Sequence, residues 1–233
     1  MPQKEFVDEL TPTDLFPLFE SIRKSLSYYF ATHVIQHPNL RSQMLSRPCG
    51  VFIAYRDRKG SPRGCMGLLD TDRPLMYAAV DCAIAAAVDD PRYERIIIDD
   101  VVGISIEMTL IKDIHDITQN LDDARAQFIA GVHGLYAESG VKAGVLLPRD
   151  ISSLGLDFDG ALRKVRAKAG IAATAASADV MYHMFAARVF VQAGLGTEVT
   201  DLSVRPKKQG EGKQDNKQAP IQRKGILSFF KGV

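Results

Sequence analysis

The chain has no tryptophan and only three cysteines among its 233 residues. Cys49, Cys65 and Cys82 are odd in number and widely spaced, which argues against a disulfide framework or a cysteine-built zinc site; each is expected to be a free thiol in a reducing compartment. His33, His37, His115 and His183 stand at no metal-ligand spacing with one another or with a cysteine, so no metal is signalled. The sequence "GEGK" lacks the Ser or Thr and the upstream strand of a phosphate-binding loop. No serine nucleophile elbow occurs either, and no cofactor is expected. Also absent is any apolar run long enough to span a bilayer, and the start "MPQKEFVDEL" has neither the basic nor the apolar stretch of a secretory signal. The expectation is a cytoplasmic protein, or a nuclear one in a eukaryote.

Net charge is nearly absent too, at +1, but unevenly so. Residues 205–233 hold eight basic residues against two acidic ones, leaving the body at −5. A mildly acidic body does not suit a folded surface that grips nucleic acid, which needs a cationic face. Only the tail carries such charge.

What is present reads as a mixed fold. Leu15, Leu18, Phe19, Ile22, Leu26 and Phe30 recur at helical spacing after a cap expected at Thr13. "GVFIAYRDRKGSPRGCMGLL" reads as two β runs around a polar turn, and the Ala-rich "PLMYAAVDCAIAAAVDD" as a helix stopped by Pro91. In "ISIEMTL", Ile104, Ile106, Met108 and Leu110 alternate with Ser105, Glu107 and Thr109, the pattern of a strand with one buried face. "GLYAESGVKAGVLLP" reads as a hairpin turning at Ser139-Gly140. "FDGALRKVRAKAG" is a helix after Asp157 that ends on glycine, and "DVMYHMFAARVFVQ" favours a strand. Strands with intervening helices, and no βαβ rhythm or internal repeat, give an α+β fold on a largely antiparallel sheet.

The motifs "PRGCMG", "DDPRY", "ISIEMTL", "GVHGL", "LLP" and "KAG", in that order and spacing, resemble the AMMECR family, named for the Alport syndrome, midface hypoplasia and elliptocytosis chromosomal region. The resemblance runs from about Thr13 to Ala193. It implies a two-lobed α+β domain with a cleft beside the Arg-Gly-Cys loop, and association with Memo-like and radical-SAM proteins that are often encoded beside family members. It supplies no established reaction. Pro62 stands where the family usually has leucine and Met66 where isoleucine is common, and "GLDFD" holds no tryptophan where many relatives keep one. The implied organisation is an AMMECR-like domain over 1–203, a basic disordered linker over 204–222 and a short apolar motif over 223–233.

The Arg-Gly-Cys loop has its own chemistry. Glycines on either side leave the backbone around Cys65 bare, and a neighbouring arginine favours the thiolate. His133 in "GVHG" is the natural base or orienting group for a Cys-His pair. Cys65 and His133 are therefore candidate catalytic residues, with Arg63, Gly64, Gly67, Arg92 and Gly134 as candidate binding residues for a small molecule or a modified base, and Arg63, Cys65 and His133 are expected to line one cleft. Three readings stay open. The loop is a nucleophile site, or a binding module that offers N–H groups and Arg63 to an anion, or a turn in which Cys65 merely packs and Arg63 anchors.

The tail ends "RKGILSFFKGV", an apolar cluster after a solvated stretch. Ile226, Phe229 and Phe230 fall on one face of a helical turn and resemble the peptide by which replication and repair proteins hold a sliding clamp (PCNA). The glutamine usual in that motif is out of register, with Arg223 in its place and Gln222 one residue early. Contact with the body, a membrane surface or nucleic acid are the alternatives.

Overall fold

The computed structural model describes residues 5–172, 174 and 179–203. After a single-turn α1 (Phe6–Glu9), the helix α2 (Pro12–Thr32) starts from a capping box: Thr11 accepts from the Asp14 N–H, and the Asp14 carboxylate accepts from the Thr11 N–H. The cap is Thr11 rather than the expected Thr13, because only Thr11 has an acid three residues on to close the box. Pro17 thus lies inside the helix. The carbonyl it leaves without a donor belongs to Thr13, which is exposed to water.

Strands β1 (Val51–Arg56) and β2 (Pro62–Leu68) form a hairpin, followed by the Ala-rich α3 (Leu75–Val88). β3 (Ser105–Asp116), α4 (Leu121–Gln127), β4 (His133–Ser139), β5 (Lys142–Leu146), α5 (Pro148–Ser153), α6 (Phe158–Lys168), β6 (Met181–Gln192) and β7 (Val199–Asp201) complete the order. All pairings are antiparallel, in the order β2-β1-β3-β6-β4-β5, with β7 beside β6. The fold is the α+β arrangement expected. The Asp157 cap, which accepts from the Gly160 N–H, and the left-handed Gly170 after α6 also stand as read.

The two twelve-residue strands β3 and β6 run through both halves of the molecule. On one side α2 and α3 bury Leu18, Phe19, Ile22, Ala79 and Ala83 against Ile53, Ile106 and Met108; on the other, α5 and α6 bury Ile151, Phe158 and Val165 against Leu135, Ala137 and Met184. A third, smaller cluster of Phe52, Ile111, Leu147, Phe185 and Ala187, with Cys65 and Val145 packed on it, fills the concave face. It brings a residue of the edge strand β2 and one of the edge strand β5 together, so the sheet curls until its two ends face each other. That curl overturns the one-face reading of β3: Glu107 and Thr109, on the face opposite Met108, are buried as well, because the concave face is covered.

Two buried arginines tie the ends to this frame. Arg23 on α2 donates to Gln192 Oε1 (2.8 Å) and to the carbonyls of Val101 (2.5 Å) and Ile104 (2.9 Å). Arg188 on β6 donates to the carbonyls of Val7 (2.6 Å) and Leu10 (2.7 Å) and pairs with Asp201 at 2.5 Å. A cation is tolerable inside a protein only when its N–H groups find such acceptors.

Candidate functional site

Cys65 lies opposite Ala54 in the β1–β2 register, on a strand that has no second strand neighbour among the described residues. Its backbone groups turn to that open side. There the N–H donates to Asp90 Oδ2 (2.8 Å), and the carbonyl accepts from Arg92 Nη2 (3.1 Å). Arg92 grips Asp90 in turn, through Nε to Oδ1 (2.8 Å) and Nη2 to Oδ2 (2.7 Å). One acceptor and one donor, held as a fork, do for this edge what a further strand would do. The Asp90 side chain is only 2% exposed. The Arg92 hydrogen bonds, helped by the Cys65 and Arg92 N–H groups and opposed by burial, hold its carboxyl down at about 2. "PRGCMG" and "DDPRY" are thus one structural unit.

The glycines of the motif answer to packing. Gly64 has φ +150°, and a Cβ there would lie 2.0 Å from the Ala86 carbonyl oxygen of α3; one on Gly67 would lie 2.3 Å from the Phe52 ring. Small residues here let α3 and β1 close on β2.

The Cys65 side chain faces the concave side, into a cleft of 470 Å³ whose walls include Arg92, Glu107, Tyr136, Asp150 and Lys168. Arg149 from α5 reaches into the same side and forms an ion pair with the nearly buried Glu107. Lys168 stands 3.8 Å from Asp150. Burial, reinforced by Glu138, which accepts the Tyr136 hydroxyl hydrogen bond at 2.7 Å, pushes the Tyr136 phenol up to about 12. Burial likewise pushes the Cys65 thiol up to about 11, against the pull of Lys168 and Arg92. The thiolate expected beside an arginine is therefore not what this environment favours at neutral pH.

Of the candidate residues, Gly64, Cys65, Gly67 and Arg92 line this cleft, and Arg63, His133 and Gly134 do not. Tyr55 pairs with Gly64 and Arg56 with Pro62, so Arg63 is the extra residue of a β-bulge. The bulge re-aims its side chain out of the strand's alternation. Arg63 instead lines a separate hollow of 270 Å³ and pairs with Asp100 at 3.2 Å. His133 shares the outer face of β4 with Leu135, while Gly134 and Tyr136 face inward. Its Nδ1 accepts the Ile129 N–H (3.0 Å), its ring lies near Phe128, and burial lowers its pKa. A Cβ on Gly134 would strike the Phe185 ring at 2.3 Å, so this glycine fits Phe185 rather than a ligand. Ile226, Phe229, Phe230 and the rest of the tail lie outside the described residues.

Glu107, Tyr136, Arg149, Asp150 and Lys168 went unread as site residues. A signal existed for Glu107, a lone acid inside the apolar alternation of "ISIEMTL"; Arg149 and Asp150 follow the "LLP" motif directly. Among the described residues, no group of three His, Cys, Asp or Glu side chains is placed to hold a metal ion. No described helix is long and apolar enough to cross a membrane.

A curled antiparallel sheet with helices on its outer face and a thiol-floored cleft between its ends defines an α+β cleft domain. The chain belongs to the AMMECR1 family, whose model matches residues 19–190. It is 32% identical over 116 residues to a protein of Aeropyrum pernix, covering 48% of this chain and 50% of that one. It is 31% identical over 123 residues to a protein of Methanothermobacter thermautotrophicus, covering 52% and 64%. The chain thus spans half to under two thirds of the length of these two relatives. The crystal structure of uncharacterized protein PH0010 from Pyrococcus horikoshii superposes with a TM-score of 0.70 at 23% identity, over 80% of this chain and 95% of that one, a likeness of fold.

Proposed function

We propose that the chain is a small-molecule-binding protein whose site is the cleft at Cys65, with the thiol held neutral as part of the floor. The observation that carries this reading is that Asp90 and Arg92 fix the Cys65 backbone, while its side chain faces an open 470 Å³ space walled by charged and aromatic groups. Rigid polar groups around a partly apolar hollow are the ordinary make-up of a ligand pocket. The competing nucleophile reading lacks its base, since His133 is on the other face of β4. A thiol at about 11 is ionised to only about one part in ten thousand at pH 7.

The test is alkylation of Cys65 by iodoacetamide as a function of pH, followed on the Cys65 peptide by mass spectrometry. The rate is expected to rise toward a midpoint near 11 and to fall when a ligand occupies the cleft. A midpoint near neutrality would reinstate the nucleophile.

The tail adds a delivery function to this reading. The spacing of Ile226, Phe229 and Phe230 supports docking of residues 223–233 on a sliding clamp, which would bring the cleft to DNA. A peptide of residues 219–233 titrated into the organism's own clamp is expected to bind, and the Phe229→Ala, Phe230→Ala peptide is not. Equal or absent binding of both withdraws the delivery function. Memo-like and radical-SAM proteins remain partners by family association alone.

A further inference from the structure

The cleft does not end at Cys65. Past Pro62 it continues into a second hollow of 620 Å³, and Pro62, Asp150 and Lys168 line both. Lys164 joins Lys168 there. The two lysines are four residues apart on α6, so their side chains lie one above the other on the same face of the helix.

Charge accounting along this groove leaves a positive remainder. Arg92 is neutralised by Asp90 and Glu107 by Arg149, while Glu138, which accepts from the Tyr136 hydroxyl, adds one acid beside the first hollow. Asp150 is the acid that both hollows share, and it reaches Lys168 only at 3.8 Å. Among the described residues neither Lys164 nor Arg56 has a carboxylate at ion-pair distance. Arg56, on the wall of the first hollow, gives one hydrogen bond to the Gly60 carbonyl (3.1 Å), and its Nε is buried with no partner. A groove that sets Arg56, Lys168 and Lys164 against Asp150 and Glu138, with a thiol and a phenol in its lining, keeps a positive balance that suits a negatively charged guest.

We infer that the ligand of this cleft is anionic: a small molecule bearing a carboxylate or phosphate that lies against Lys168 and Lys164, while its less polar part lies over Cys65 and Tyr136. This rests on the reading of the cleft as a binding site. An anion held there also discourages the Cys65 thiolate, since the two negative charges would share the same lysine.

The experiment uses the full chain and three probes: glutarate, inorganic phosphate, and glutaramide as an uncharged match for glutarate. Protection of Cys65 from iodoacetamide at one fixed alkaline pH gives an apparent affinity for each. Variants Lys164→Gln and Lys168→Gln are compared with Lys24→Gln, an exposed lysine on α2. Glutarate or phosphate is expected to protect, and whichever does identifies the anion type. The apparent affinity is expected to fall about five-fold in each α6 variant, as for a partly exposed ion pair, and not in Lys24→Gln. Protection by glutaramide as good as that by the anions, or anion protection untouched in both α6 variants, overturns the anionic assignment and leaves the cleft a binding site. No protection by any probe at millimolar excess overturns both.

Discussion

Replacing Asp90 by asparagine removes one negative charge and almost no volume, at a position where four N–H donors converge. The carboxylate accepts from the Cys65 N–H, the Arg92 N–H, and Arg92 Nε and Nη2, at 2.7 to 3.2 Å. A carboxyl held at about 2 instead of its ordinary 3.8 contributes about 2 to 3 kcal/mol to folding at neutral pH. The asparagine also turns an NH₂ group toward donors, so the expected loss for Asp90→Asn at pH 7 is about 2 to 4 kcal/mol. The pH dependence follows from the sign of the displacement. A depressed carboxyl stabilises the fold above its unfolded-state pKa, and the contribution drains away as pH falls from about 4 toward about 2. The assay is urea unfolding of the wild type and Asp90→Asn at pH 7, 5, 4 and 3. The gap between the two midpoints, taken at common slope, should be constant from pH 7 to 5 and about halved at pH 3. A gap that is the same at pH 3 as at pH 7, or one below about 0.5 kcal/mol at pH 7, would refute the role of the Asp90 charge in holding the edge of β2.

Gly64→Ala places a methyl 2.0 Å from the Ala86 carbonyl at φ +150°, and thermal unfolding should register a loss of about 3 kcal/mol or more. Gly140→Ala, at φ +59° with open space around it, should cost only about 1 kcal/mol, and equal losses at the two sites would contradict the close approach of α3. Across the Glu107–Arg149 pair, Arg149→Met should cost about 3 kcal/mol in urea unfolding, because it strands the nearly buried Glu107 carboxylate, and Glu107→Gln should cost less, because the Arg149 side chain is 28% exposed. The double variant should cost less than the sum of the two; strict additivity would mean that the pair does not interact.

Much of the framework was legible because it is written in local terms. Asp157 and Gly170 bracket α6, and the β-branched and aromatic residues of β6 make a long strand, since capping and pleat depend on neighbours in the sequence. The site was legible in its parts and not in its assembly. Cys65 and Arg92 come together, but through Arg92 and Asp90 gripping a backbone, which no residue pattern announces. Arg63 left the cleft because one bulged residue breaks the alternation, and His133 because it is odd where Tyr136 is even along β4. Lys168 and Glu107 meet near Cys65 only after the sheet curls, a property of strand order and twist rather than of any one segment. The thiol's environment has the same origin. Arg63, two residues from Cys65, turns away to Asp100, and burial in the curled sheet outweighs the pull of Lys168 and Arg92 on the thiol.

The guanidinium of Arg188 has a consequence for where this protein can be cut. Residues 19–190 are the stretch shared with the family, yet Arg188 takes its acceptors from Val7, Leu10 and Asp201, and Arg23 takes one from Gln192. A fragment trimmed to the shared stretch would keep both cations and discard much of what satisfies them, leaving Arg188 stripped on both flanks. The contacts that satisfy these two buried cations therefore reach beyond the stretch that the family model matches. Anyone grafting this domain should place the joints before Phe6 and after Ser203, so that Arg23 and Arg188 keep the acceptors they have among the described residues.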